Sequence, residues 1–71
     1  MISNEMFLLS NKINNKLNNR IPKIAVKENK DFGYYEITFL GETLIYEYNY
    51  YKTLEDNYYD LKLRLLQIIF K

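Results

Sequence analysis

Apolar residues near the N-terminus recur at intervals of three and four, the spacing that predicts an amphipathic helix. The stripe consists of Met6, Leu9, Ile13 and Leu17. Ser3 or Asn4 is placed to cap the start of this helix, because both side chains can accept a hydrogen bond from its free backbone N–H groups. Asn18 and Asn19 are suited to its C-terminal stop, and Pro22 prevents the helix from continuing.

The pattern between residues 23 and 51 changes to an alternation of apolar and polar positions, which predicts β-strands. We expect strands over residues 23–27, 34–40 and 43–51, and a turn rich in Asn, Asp and Gly over residues 28–33. The inner face of the resulting sheet then carries Ile24, Val26, Tyr35, Ile37, Phe39, Leu44, Tyr46 and Tyr48.

Gly41 and Glu42 form the predicted turn between the second and third strands, because a type II′ hairpin turn needs glycine at its first central position. That turn sets a register in which Phe39 lies opposite Leu44. The same register keeps the aromatic and aliphatic residues of both strands on one face, which supports it independently of the turn.

The outer face of the predicted sheet is polar and aromatic. It carries Tyr34, Glu36, Thr38, Ile45, Glu47, Asn49 and Tyr51. The register places Glu36 opposite Glu47, and like charges at opposed positions destabilise a sheet. Two interpretations remain open: Lys23 and Lys27 on the first strand relieve the repulsion, or the acidic spot receives an Arg or Lys from a partner.

Residues 54–70 are predicted to form a second helix, capped by Thr53 and by Asp56 in a capping-box-like start. One stripe suited to packing on the sheet comprises Leu54, Tyr58, Leu61, Leu65, Ile68 and Ile69. A second stripe lies on nearly the opposite side and comprises Tyr59, Leu63, Leu66 and Phe70. Either the first helix covers part of it, chiefly Tyr59 and Leu66, or Leu63 and Phe70 stay exposed as a homodimer or partner contact.

These elements predict a single small α+β domain over residues 1–71, in the order α-β-β-β-α, with a three-stranded antiparallel sheet and both helices packed on one face. The core of so small a domain supplies only on the order of 3–5 kcal/mol. The chain has no cysteine and no histidine, which excludes disulfides and metal sites built from thiolate or imidazole. A partner or oligomerisation is the remaining source of added stability.

Charge is segregated along the chain although the net charge is only +1. Residues 1–30 carry six bases and two acids, residues 31–60 carry one base and seven acids, and residues 61–71 carry three bases and no acid. The helix dipole accounts for Glu55, Asp56 and Asp60 at the start of the second helix. It does not account for Glu36, Glu42 and Glu47, which indicate an acidic contact surface.

Catalysis is not expected, because no nucleotide-binding, metalloprotease, redox or hydrolase motif occurs. Glu36 and Glu47 could be imagined as a catalytic carboxylate pair, but an open sheet face offers no desolvation. We therefore expect no cofactor and no metal. The apolar cluster at residues 6–9 is short and follows Glu5 rather than a basic segment, so we expect a cytoplasmic protein without a membrane partner.

The order α-β-β-β-α in a chain of this length resembles the double-stranded RNA-binding domain, over most of the chain and in topology. The resemblance implies the architecture described above. That family meets phosphates with a lysine-rich start of its second helix, whereas residues 53–57 of this chain read Thr-Leu-Glu-Asp-Asn and would repel phosphate. Lys12, Lys16 and Arg20 on the first helix leave a nucleic-acid-binding module as an alternative hypothesis.

The chain also resembles, in style, small phage-encoded inhibitors such as anti-CRISPR and other anti-defence proteins. The matching residues are Asp31, Glu36, Glu42, Glu47, Tyr34, Tyr48, Tyr50 and Tyr51. The resemblance implies a protein that docks an acidic, tyrosine-rich hairpin on the basic surface of a nucleic-acid-binding defence effector in the host cell. We expect the contact to involve Tyr34, Glu36, Glu42, Glu47, Asn49 and Tyr51; the alternatives are nucleic-acid binding or a structural homodimer.

Overall fold

The computed structural model describes residues 2–17 and 21–70 and confirms the predicted α-β-β-β-α order of a small α+β domain. Its elements are α1 (Asn4–Lys16), β1 (Ala25–Asn29), β2 (Tyr34–Phe39), β3 (Glu42–Tyr46) and α2 (Leu54–Ile69). The strands form one antiparallel sheet in the order β1-β2-β3. The predicted helix stop at Asn18 and Asn19, and the base Arg20, lie outside the described residues.

One hydrophobic core joins the inner face of the sheet to the apolar sides of both helices. Its buried members are Met6, Leu9, Ile13, Ile24, Tyr35, Ile37, Phe39, Tyr46, Tyr48, Tyr58, Leu61 and Leu65. The helix stripe and the sheet face predicted from periodicity therefore meet as expected, with Val26 and Leu44 half-buried beside them.

The hairpin turn lies one residue earlier than predicted. Its central residues are Leu40 and Gly41, both with positive φ (52° and 79°), which is the pattern of a type I′ turn. Type I′ turns match the right-handed twist of the flanking strands. Phe39 therefore pairs with Glu42 rather than with Leu44, and the predicted turn at Gly41-Glu42 is wrong.

Moving the turn by one position slides the pairing of β2 with β3 by two residues. Because strand side chains alternate with a period of two, every residue keeps its predicted face. The pairing partners do change: Glu36 lies opposite Ile45 instead of Glu47, and Thr38 lies opposite Thr43, with 3.2 Å between their hydroxyl oxygens. The predicted opposition of two glutamates does not exist.

Both helices begin at the predicted caps. Ser3 Oγ accepts the backbone N–H of Met6 at 3.2 Å, and Thr53 Oγ1 accepts that of Asp56 at 3.1 Å. Lys12 in the third turn of α1 bonds Glu55 in the first turn of α2. Tyr50, shortly before α2, bonds Ser3 at the start of α1, and the C-terminal turns of both helices line one cavity. The helices therefore run in the same general direction along the sheet, and their N-termini lie at one end of the domain.

The third strand is shorter than predicted, and the side chain of Asn57 explains why. Asn57 is 1% exposed, and its Oδ1 accepts the hydroxyl of Tyr46 at 2.8 Å and the backbone N–H of Asn49 at 2.9 Å. Its Nδ2 donates to the backbone oxygens of Asn49 at 3.0 Å and Thr53 at 2.8 Å. Asn49 thus bonds to the helix rather than to a strand, so β3 ends at Tyr46.

Replacing Asn57 by alanine should strongly destabilise the domain, because it leaves four hydrogen-bonding groups without this partner. Each buried polar group left unpaired costs about 1–3 kcal/mol, so the variant is expected to be largely unfolded. Urea unfolding followed by circular dichroism measures this loss. Asn15→Ala on the exposed side of α1 is the matched control and should leave stability nearly unchanged; equal stability of the two variants would contradict the role of Asn57.

Replacing Leu40 by asparagine should stabilise the domain by on the order of 1 kcal/mol, because asparagine tolerates the left-handed conformation that leucine adopts with strain. Gly41→Ala should have the opposite effect, through its positive φ alone, since a Cβ there would meet no atom within 4 Å. The two midpoints of urea unfolding should shift in opposite directions, and shifts of the same sign would argue against the type I′ turn.

Stability should fall as the pH rises above 10. Burial raises the pKa of Tyr46 well above its ordinary value of 10.0, so the folded domain holds the phenol proton that the unfolded chain releases. This contribution is complete below pH 10 and is lost as the pH rises further. Urea unfolding should give a lower free energy of unfolding at pH 11 than at pH 8, and Tyr46→Phe should make this difference smaller. The same difference in the variant as in wild type would exclude Tyr46 as the cause.

Candidate protein-binding surface

The six residues predicted to form the acidic hairpin face occupy three different places. Glu47, Asn49 and Tyr51 lie together in the exposed segment between β3 and α2. Tyr34 and Glu36 are half-buried positions of β2, on the outer face of the sheet. Glu42 lies beside the hairpin turn, at the opposite end of β3 from Glu47. The predicted site is therefore only partly one surface.

Glu42 also points to the other side of the sheet from Glu36. It pairs with the core residue Phe39 and is half-buried. It lines a shallow groove together with Arg64 and Gln67 of α2. Glu42 therefore belongs to the surroundings of the second helix and not to the predicted outer face.

Glu36 does not lie opposite Glu47, so the repulsion that both interpretations drawn from the sequence set out to explain is absent. The Cα partner of Glu36 on β1 is Lys27, a base on the same outer face, and its partner on β3 is the apolar Ile45. An opposite charge at a paired position stabilises a sheet. Glu36 is thus flanked by a base within its own sheet, which makes it a weak attachment point for a partner's cation.

An acidic, tyrosine-rich surface does form, at the end of the domain where both helices begin. Its members are Glu5, Glu47, Tyr48, Tyr50 and Tyr51, which we call the acidic tyrosine end. Tyr51 is fully exposed, and no ion pair joins Glu47 to a base among residues 2–17 and 21–70. Two further acids close by are already paired: Glu55 with Lys12 at 2.6 Å, and Asp60 with Lys52 at 3.3 Å.

Hydrogen bonds hold the backbone of the acidic tyrosine end in place. The hydroxyl of Tyr50 donates to Ser3 Oγ at 3.0 Å and ties the segment to the start of α1. The ring of Tyr50 lies 4.8 Å from that of Tyr48. Asn49 Oδ1 accepts the backbone N–H of Tyr51 at 2.9 Å, and Asn57 fixes Asn49 from the other side. The exposed aromatic groups are therefore carried by an ordered loop.

The negative charge of the acidic tyrosine end affects the pKa of Tyr48. Burial is the main cause that raises the pKa of Tyr48, and the negative charge of Glu5 raises it further. Glu5 comes from α1 and Tyr48 from the segment after β3, so the fold brings together residues that are far apart in sequence. Glu5 therefore adds negative charge to this end of the domain.

The second stripe predicted on α2 is largely exposed. Tyr59 is 54% exposed, Leu63 is 60% exposed and Phe70 is 80% exposed. Leu66 is half-buried at the rim of an apolar cavity of about 260 Å³, which α1 and α2 enclose near their C-terminal ends. The first helix therefore shields only Leu66 in part, and the expectation that it also covers Tyr59 is wrong. Leu63 and Phe70 are exposed, as the alternative of a homodimer or partner contact requires.

The bases proposed for nucleic-acid binding do not form one free surface. Lys12 pairs with Glu55 and lies 5.0 Å from the centre of the Tyr58 ring. Its hydrogen bond with Glu55 raises the pKa of Lys12, so that the charge is already matched within the domain. Lys16 is exposed near the apolar cavity, and Arg20 lies outside the described residues.

Asn57 and Glu5 are the important residues that the sequence analysis missed. Asn57 is a polar residue within the apolar side of a predicted helix, between Leu54 and Tyr58, and that interruption was an available signal of a buried hydrogen-bonding role. Glu5 enters the sequence analysis only as the acid before the apolar cluster at residues 6–9. Nothing in the local sequence indicates that it lies beside Tyr48, because that proximity depends on the direction of α1.

Neither helix in the described part of the chain has both the length and the apolar character needed to cross a membrane. Within residues 2–17 and 21–70, no three acidic side chains lie close enough together to hold a metal ion.

Comparison with known proteins adds no relative to this description. No protein-family model, no curated protein and no solved structure matches the chain.

Proposed function

We propose that this chain is a non-enzymatic protein-binding domain that docks the acidic tyrosine end on a basic surface of another protein. The observation that carries the proposal is the grouping of Glu47, Tyr50 and Tyr51 on one exposed surface, with no base among the described residues paired to Glu47. Tyrosine side chains supply large contact areas at low cost in conformational entropy.

The rigidity of the acidic tyrosine end supports this use. Its backbone is held by Asn57 and Ser3 before any partner arrives, so little additional ordering is needed on binding. Preordered contact residues retain more of their interaction energy as affinity. A carboxylate between exposed tyrosines also matches the chemistry of arginine, which forms bidentate hydrogen bonds to carboxylates and stacks on aromatic rings.

The finer proposal names the kind of partner. We infer from the resemblance to phage-encoded inhibitors that the chain comes from a phage or mobile element and acts in the host cytoplasm. Its target would be a nucleic-acid-binding defence effector of the CRISPR type, whose basic channel normally holds phosphates. Occupation of that channel by carboxylates would compete with the nucleic acid, because both are attracted by the same cations.

Reversing one charge at the acidic tyrosine end should remove inhibition. Purified CRISPR nucleases loaded with guide RNA are incubated with the chain, and cleavage of target DNA is measured. Wild type should inhibit at least one of them, and Glu47→Lys should weaken inhibition by at least about tenfold, since a repulsive contact replaces an attractive one.

Glu42→Lys is the matched control, because it makes the same change in net charge at the other end of β3. It should inhibit within about twofold of wild type, as expected for a charge outside the contact. Equal loss in both variants would show that only net charge matters and would contradict the assigned surface. Undiminished inhibition by Glu47→Lys would contradict it as well, and failure of wild type to inhibit any nuclease would overturn the finer proposal.

A further inference from the structure

An apolar cavity lies near the C-terminal ends of α1 and α2, and the proposed function does not use it. Its volume is about 260 Å³. Buried core side chains form its floor, namely those of Ile13, Phe39, Tyr58 and Leu65. Exposed residues form its rim, namely Lys16, Lys62 and Ile69. We propose that this cavity binds a medium-chain fatty acid, with the acyl chain against the floor and the carboxylate at the two lysines.

The size of the cavity favours an occupant. An apolar cavity of about 150 Å³ holds benzene, so a cavity of about 260 Å³ accepts a longer apolar group. Empty apolar space deprives the atoms around it of dispersion contacts. A domain of 71 residues has little surplus stability to offset that loss. An apolar ligand restores the missing contacts, so the folded domain gains stability when the cavity is filled.

The chemistry of the lining selects an aliphatic chain with one polar end. Most of the lining is aliphatic, and besides the floor and the rim it includes Leu17, Ile21 and Leu66. Among the described residues, the only polar side chains that line the cavity are the phenol of Tyr58 and the two lysines. A ligand with polar groups along its length would lose their hydrogen bonds to water without replacement. The ligand is therefore apolar except where it meets the rim.

The charge at the rim selects an anion. Lys16 and Lys62 are the only charged residues that line the cavity in the described part of the chain, and no described acid forms an ion pair with either. The ammonium of Lys62 lies 5.8 Å from the centre of the Tyr58 ring, and this attraction holds it beside the cavity. Both ammonium groups can therefore donate charge-assisted hydrogen bonds to a carboxylate at the opening.

The ends of the two helices reduce this positive charge but do not cancel it. α1 ends at Lys16 and α2 ends at Ile69, and both residues line the cavity. Each helix C-terminus contributes about half of a negative elementary charge, whereas each lysine contributes a full positive charge. The opening stays positive, so it attracts a carboxylate and repels a cationic amphiphile. A neutral amphiphile of the same length gains only the apolar contacts.

The cavity shares no described residue with the acidic tyrosine end, so fatty-acid binding does not depend on the proposed function. Titration of the isotope-labelled full chain with sodium octanoate, followed by NMR, tests the binding without any protein partner. Wild type should bind octanoate with a dissociation constant below about 1 mM. The amide signals that shift most should belong to residues that line the cavity, such as Leu65 and Leu66.

Two further ligands test the preference for an anion. Octanol and octyltrimethylammonium carry the same aliphatic chain without a negative charge, and they should bind at least about tenfold more weakly than octanoate. Absence of octanoate binding, equal affinity for all three ligands, or shifts confined to residues away from the cavity would each overturn the proposal.

Charge reversal at the rim separates the role of the lysines from that of the cavity. Lys62→Glu should weaken octanoate binding at least about tenfold and leave octanol binding within about twofold of wild type, because only the carboxylate is repelled. Lys16→Glu serves as the second variant should Lys62→Glu fail to fold. Lys30→Glu is the matched control, since it makes the same change in charge at an exposed position in the turn between β1 and β2. It should bind octanoate like wild type, and equal weakening by Lys62→Glu and Lys30→Glu would contradict the site.

Filling the cavity should block both octanoate and octanol. Ile69→Trp places a larger side chain at a position that lines the same space, and circular dichroism verifies that the variant is folded. Octanoate binding at wild-type affinity by folded Ile69→Trp would show that the ligand lies elsewhere and would overturn the proposal.

Discussion

The carboxamide of Asn57 is the interaction on which the shape of this domain depends. It satisfies all four of its hydrogen-bonding positions, with the phenol of Tyr46, both backbone groups of Asn49 and the carbonyl of Thr53. One side chain therefore ends a strand, shapes the loop and positions the start of a helix. A small core leaves little surplus stability. The domain therefore tolerates the buried carboxamide of Asn57 only because all of its hydrogen bonds are made.

The direction of the helices determines the character of the surface. Tyr50, shortly before α2, meets Ser3 at the start of α1 because both helices begin at the same end of the sheet. Acids that favour a helix N-terminus are then concentrated at one end of the molecule. Glu5 illustrates the result, since it lies in the first turn of α1 and also contributes to the acidic tyrosine end. Stability of the helices and negative charge of the surface have the same origin.

Periodicity predicted the elements and their buried faces because both properties are local. Gly41 identified the hairpin but not its register, since a glycine fits either position of the turn and Leu40 is a poor candidate for positive φ. The period of two protected the faces from that error. The candidate site was less predictable: Glu42 and Glu47 are close in sequence yet lie at opposite ends of β3. Their separation follows from the register of the hairpin and from the position where β3 ends, next to the loop held by Asn57.

The shared direction of the helices also separates the charges that the two helices themselves carry. Unpaired acids lie at the end where the helices start, and Lys16, Lys62 and Arg64 lie in the halves nearer their C-termini. The domain extends 31 Å along its longest axis, whereas salt screens charges beyond about 8 Å at physiological ionic strength. A neighbouring charged surface can therefore rotate the molecule only during the last nanometre of approach. Within that distance the torque favours one orientation of arrival, so collisions become selective before any contact is made.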